Sequence, residues 1–553
     1  MACTALLGSR LLLALAAAAA VLPPAVAVYS SLWGKEGELW DPAGALPDFS
    51  FAGYRQGNEE LPRPPATRSV TEFRPPGSNL SDTEMIKAAL AWAHAQPLAE
   101  GFVVLTLPPG RFELSERIYL NRSRLVLRGA GRVRTRLYVP HSLTDLYGPS
   151  HEGAGGYVHF GGIVTVSGTA ARGEVAATVV ADAAKGSKTV QVDDASALLV
   201  GQYYVLNFKD VDGKFNNAMF DDLVEAPAKY ADRTRTKVAA RVTGIEGQTV
   251  TLERHLPYAI VQGVNKVTLV PRDPSMTHDT GVEGLTFEFK WEWYAGHHLE
   301  RGWNAIEFSD VYDCWARNIG TVNADNGILI NDAASVTVEG IKMQVSRTRR
   351  NSIPNKYGED TDSDGHWGVQ HANAFDVLVK QFDIRCSMLH DLGTGSSGKF
   401  SVIMSGRLQD GNLDLHRALS GPTLHTDIDV GKGSNALYSG GPDSSGPNAA
   451  AGTTWWGIRS AQPVDPPKSK RRPGDCAFGP VLNLVGVDIK PAEALRMCAT
   501  WHYERDIDGP VNLYYAQLAR RKRLERWVPL AVTVPPGAAP AAAAQEAPAP
   551  APA

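Results

Sequence analysis

The chain has 553 residues, 43% of them hydrophobic and 21% charged, with a formal net charge of −4 at pH 7. That balance suits one large globular domain with appendages and excludes a chain that is disordered throughout. With no dominant basic tract, nucleic acid is not an expected partner.

Residues 1–27 read as a secretory signal. Arg10 supplies the positive region, and Leu11 to Leu22 form an apolar core too short to span a bilayer. Ala25-Val26-Ala27 is a small-x-small cleavage site. The mature protein is expected outside the cell or in the cell wall, with no membrane attachment after the signal is removed. Asn79-Leu80-Ser81 and Asn121-Arg122-Ser123 are then expected glycosylation sites. Cys3 leaves with the signal, and Cys314, Cys386, Cys476 and Cys498 remain. In an oxidising compartment Cys476 and Cys498 are expected to pair across a short loop.

Residues 28–68 carry Trp33, Trp40, Phe49, Phe51 and Tyr54. Disordered segments are poor in aromatics, so an arm packed along a larger body is expected. Residues 69–173 open with a capping box, Ser81 to Glu84, followed by Met85, Ile86, Ala89, Leu90 and Ala93 at helical spacing. Strands are predicted over Val103–Leu107, Ile118–Leu120 and Leu125–Arg128. Residues 174–262 change rhythm to hairpins with Gly-rich turns and are expected to be an inserted antiparallel β module.

Residues 263–500 return to short alternating runs broken by Asn, Asp and Gly. Within Asn304 to Val345, Ala316-Arg317-Asn318-Ile319 precedes Val338-Glu339-Gly340-Ile341 by 22 residues. Val282-Glu283-Gly284-Leu285 echoes the same unit. A period of about 20–25 residues built of short strands fits one coil of a parallel β-helix. Coils stack about 4.8 Å apart. Cys314 and Cys386, 72 residues apart, are therefore about three coils apart and are expected to be buried free thiols. Residues 501–534, with LYYAQLARRKRLERW, are expected to cap the C-terminal end. Residues 535–553 are a disordered Pro/Ala tail.

The start of the helical body resembles the pectate-lyase-like right-handed parallel β-helix superfamily. Leu105, Pro108, Gly110, Phe112 and Gly129 stand where that superfamily has its strand and turn signature after a capping helix. Pro75 to Asp82 replaces its usual Gly-Asp-Gly motif. The resemblance implies an all-β, right-handed β-helix acting on carbohydrate.

Polar candidates concentrate between His297 and Asp429, with half of the 14 histidines in that window. Asp325 to Arg347 is 22 residues, Arg347 to His371 is 24, His366 to His390 is 24 and His390 to His416 is 26. At one coil each, these side chains are expected to form a ladder on one face, suited to a polysaccharide. Trp291, Trp293, Trp303 and Trp367 are available to stack on sugar rings. Leu389-His390-Asp391 and Leu415-His416-Arg417 place histidine beside a charged neighbour, so His390, Asp391, His416 and Arg417 are the candidate catalytic residues. Asp325, Arg347, His366, Trp367, His371, His425, Asp427 and Asp429 are candidate substrate-binding residues.

The favoured chemistry is β-elimination on a uronate-containing glycan, with arginine neutralising the carboxylate and histidine removing the adjacent proton. A glycoside hydrolase using two carboxylates is the alternative, and a non-catalytic glycan-binding protein of the wall or matrix is another. Asp360, Asp362 and Asp364 begin a D-x-D-x-D-G pattern, the only sign of a cofactor, and it points to calcium. His371 at its twelfth position replaces the usual Glu.

Overall fold

The computed structural model describes residues 27–149, 156–169, 173–350, 352, 354 and 362–524. The first 26 residues of the expected signal, Asp360 and the Pro/Ala tail lie outside the described residues.

Short strands stack in parallel, coil upon coil, into a right-handed parallel β-helix. The 22-residue echo is the coil itself: Ala316 pairs with Val338 and Arg317 with Glu339. One coil earlier, Val282 pairs with Ala316. Because side chains alternate along a strand, each apolar position repeats as an inward column. Val282, Ala316, Val338, Val379 and Ile403 form one such column in the main core. The long sheet runs from Arg68–Ser69 to His502–Glu504. A second, shorter sheet stacks Ile118–Leu120, Val164–Ser167, Asn304–Ser309, Asn326–Asn331, Gly365–Ala372, Met388–Thr394 and Leu413–Leu415.

The first coil would expose unpaired strand edges. The helix Asp82–His94 packs there, against strands Val103–Leu107, Gly110–Glu113 and Ile118–Leu120. Its cap is reciprocal, Ser81 Oγ to the Glu84 N–H and Glu84 to the Ser81 N–H. The arm runs the length of the body in the opposite sense, bridging Gly509 at Tyr29 and pairing with Leu105 at Arg68. Trp33, Phe49 and Phe51 are fully buried, each contributing about 2–3 kcal/mol of apolar burial.

Two boundaries differ from the sequence reading. Asn265–Pro271, expected to resume the β-helix, pairs antiparallel with Tyr203–Asp210. The six-stranded inserted sheet therefore ends at Pro271, since Val267 and Leu269 alternate into the module's own core. That core also takes in Phe400, Leu419 and Ala450 from the coils, so module and helix share packing. Second, the helix Leu513–Leu524 does not lie over the last coil. Leu513 and Tyr514 pack on the outer face of the long sheet with Met404, Leu424 and Trp456. Its Gln517 and Arg521 hydrogen-bond the arm at Phe49 and Ser50.

Cys476 and Cys498 form a disulfide, S–S 2.04 Å. Cys314 and Cys386 are buried free thiols. Asn79 and Asn121 are exposed. Among the described residues no helix is long and apolar enough to cross a membrane.

Candidate active site

One end of the short sheet carries a row in strict register: Asn304, Asn326, Trp367 and His390. The two asparagines form an amide ladder, Asn326 Nδ2 donating to Asn304 Oδ1 at 2.9 Å. The Asn326 Oδ1 accepts the Trp367 N–H at 3.1 Å. One coil further, the His390 ring stacks on Trp367 with centroids 4.4 Å apart. His416, from the turn after Leu413–Leu415, meets His390 edge-on at 5.3 Å. His366 lies 5.6 Å from His390. His297 and His159 approach His366 at 4.8 and 5.3 Å. His298 stacks on His297 at 3.7 Å. Six imidazoles thus make one continuous wall.

Two carboxylates anchor it. Asp414 Oδ2 lies 2.8 Å from His416 Nδ1, and its Oδ1 lies 3.6 Å from His390 Nδ1. Oδ1 also accepts the Gly440 N–H at 2.7 Å. Burial alone would raise the Asp414 carboxyl, but His390, His416 and these hydrogen bonds outweigh it and hold it at about 2. Glu300 Oε1 accepts the Tyr294 hydroxyl at 2.7 Å and lies 2.9 Å from His366 Nδ1, without hydrogen-bond angles. Burial raises the Glu300 carboxyl against the Tyr294 hydrogen bond and the nearby His159 and His298. Burial also keeps His366 and His390 below the ordinary imidazole range and His159 down at about 4.

The loop after Asn435 closes over the rings. A Cβ on Gly440 would stand 2.9 Å from His416 Cε1 and 3.2 Å from His390 Cε1, so only glycine allows the backbone this near. Asn448 Nδ2 fixes the loop by donating to Gly440 O and Leu415 O, both at 2.9 Å.

Of the residues singled out from sequence, the fold brings together His366, Trp367, His390 and His416. The others go elsewhere, for identifiable reasons. Asp391 points away from His390 on the same strand and accepts the Asn412 N–H at 2.9 Å; the carboxylate beside His390 is Asp414. Arg417, in left-handed backbone with φ 60, is spent on Asp443 at 2.6 Å and Gly446 O. Asp325 is buried with Arg349 at 2.7 Å and accepts two backbone N–H groups, so it is structural. Arg347 is exposed and sits 3.5 Å over the Trp291 ring. His371 and His425 occupy inward columns, in register with Ile330 and with Ile403 and Trp455. Asp427 and Asp429 belong to the long sheet, where Asp427 pairs with Arg459 at 2.8 Å and Asp429 accepts the Gly431 N–H. Trp303 is in the core and Trp367 is the buried floor of the wall, which leaves Trp291 and Trp293 accessible.

Of the expected calcium loop, Asp364 is buried and accepts the backbone N–H groups of Arg349 and Ser387, and Asp362 is exposed, while Asp360 lies outside the described residues.

Sequence reasoning missed Asp414, Asn412, Tyr294 and His159. Asp414-Leu415-His416 carried a usable signal, since a carboxylate two residues from a histidine is near enough to reach its ring. His159 comes from a distant segment and carried none. A cleft of about 680 Å³ lies away from this wall, between module and coil turns, beside Lys237, Asp310, Tyr312 and Asp332.

The chain has a right-handed parallel β-helix fold, with a histidine wall on its short sheet. No protein-family profile and no curated protein matches it. Among solved structures it is similar to the tailspike gp49 of Pseudomonas phage LKA1, at 11% identity and TM-score 0.41, over 73% of this chain and 56% of that one. The chain thus spans little more than half of that tailspike. It is also similar to an exopolygalacturonase from Thermotoga maritima, at 8% identity and TM-score 0.31, over 77% and 82% of the two chains. The Gp54 tailspike of Acinetobacter baumannii bacteriophage AP22, solved with a capsular saccharide, matches at 10% identity and TM-score 0.29, over 76% and 69%.

Proposed function

We propose that the protein is a secreted enzyme that cleaves a uronate-containing polysaccharide by β-elimination at the histidine wall. The observation that carries this reading is the shared carboxylate: Asp414 lies between His390 and His416 at 3.6 and 2.8 Å. An imidazole held at Nδ1 by a carboxylate keeps its other nitrogen for a proton. His416 is the partly exposed member, at 28% side-chain exposure. Trp291 with Arg347, and Trp293, offer stacking faces and a cation to an anionic sugar. Arg417 is not available to neutralise the uronate carboxylate, because Asp443 holds it.

A glycoside hydrolase is the second reading. It is favoured by one feature, that Asp414 is held ionised while Glu300 is pushed towards its protonated form, an acid and base pair set apart by environment. Incubation with a panel of uronate glycans tests both. β-Elimination gives products with the ultraviolet absorbance of an unsaturated uronate. Cleavage without that absorbance selects the hydrolase, and no cleavage of any uronate glycan refutes the lyase reading.

A further inference from the structure

We propose that His390, Asp414 and His416 bind a divalent transition metal of the zinc class. One donor atom from each lies within 4.8 Å of the other two. Tetrahedral bonds of about 2.0–2.2 Å put donors about 3.4 Å apart, so adjustments of no more than about 1.4 Å close the set. Two imidazoles and one carboxylate suit zinc, cobalt or manganese. Calcium takes six to eight oxygens, and Asp414 supplies only two here.

The surroundings are built as the outer shell of such a site. Asn412 Oδ1 is 3.3 Å from His390 Nδ1. Its amide nitrogen is fixed by Asn435 O at 2.9 Å and Tyr438 O at 2.6 Å, so the oxygen has one direction to face. The Gly440 N–H orients Asp414 Oδ1. Partners of this kind set ligand geometry around metals. His390 and Asp414 are almost fully buried, whereas His416 is partly exposed, which leaves one side for water or a sugar oxygen. That three-ligand, one-opening arrangement is the catalytic rather than the structural type.

A second observation points the same way. The His390 to Asp414 separation of 3.6 Å is too long for a hydrogen bond. His366, beside His390, has no hydrogen-bond partner on Nε2 although its side chain is 2% exposed. Buried polar atoms without partners are rare in folded proteins. An ion between the imidazoles and the carboxylate would fill that 3.6 Å gap.

The site coincides with the wall to which cleavage is assigned, and with an ion in place His390 and His416 act as its ligands, not as free bases. Binding is therefore read without substrate. The mature full-length chain is stripped with a chelator, titrated with Zn²⁺ and with Co²⁺, and assayed by elemental analysis and visible absorption. The expected result is about one equivalent per chain, a cobalt ligand-field spectrum and a raised melting temperature. Asn412→Ala is expected to weaken binding about 10- to 100-fold, and His416→Ala by more than that, while His371→Leu leaves it unchanged. Circular dichroism of each stripped variant checks that it is folded. Well under one equivalent bound, or equal binding by wild type and a folded His416→Ala chain, overturns the proposal. A chain that binds metal yet cleaves no glycan keeps this inference and sinks the enzymatic reading; a chain that binds no metal yet cleaves does the reverse.

Discussion

His371 and His425 should make the protein acid-labile, and replacing both with leucine should remove that share of the lability. Each stands in an inward column among isoleucine and tryptophan, and neither ring nitrogen of either has a hydrogen-bond partner. Burial lowers each imidazole from 6.5 to about 3. The sign follows from linkage: a depressed histidine is neutral when folded, while the unfolded chain takes up the proton below 6.5, so stability is lost as pH falls. Between pH 7 and pH 5 that loss is about 2 kcal/mol per histidine, or about 4 kcal/mol for the two. Other buried histidines add to the wild-type slope, so the difference between wild type and His371→Leu/His425→Leu is the quantity to read. Denaturant unfolding followed by tryptophan fluorescence at pH 7 and pH 5 measures it. Leucine matches the apolar neighbours of both columns, so the double variant should fold and be at least as stable at pH 7. Equal losses of stability in the two proteins on going to pH 5 would refute the placement of these imidazoles in the core.

Other expectations are more local. Arg254→Met leaves Asp376 without its 2.7 Å partner in a fully buried pair and should cost about 3–5 kcal/mol, most of it recovered in Arg254→Met/Asp376→Leu, by denaturant midpoint. Asp414→Asn should abolish glycan cleavage, whereas Asp391→Asn should keep most of it, because Asp391 faces away from the wall; the reverse ranking in a product assay would reject the assignment. Arg417→Ala should release the Gly440–Gly446 loop and lower turnover about 10- to 100-fold through misplacement of the rings beneath it, with little change in thermal stability.

The sequence by itself carried the coil. A 22-residue repeat of alternating runs, as in Ala316 to Val338, reports stacked parallel strands because each residue sits directly over its counterpart. The Ser81–Glu84 cap and the aromatic arm were legible for the same reason, as their physics is local or compositional. The ladder was not. His366 and His390 are 24 residues apart, yet the register pairs Trp367 with His390, and His416 reaches the site from a turn and not from a strand position. A coil can gain or lose residues in its turns without disturbing the sheet, so counting residues does not fix which side chains share a face. One strand also serves two places: His371, in register with Ile330, turns into the core, while His366 meets the wall. Which carboxylate meets the histidines, Asp414 and not Asp391, was settled only when separate coils and the Gly440 loop came together in space.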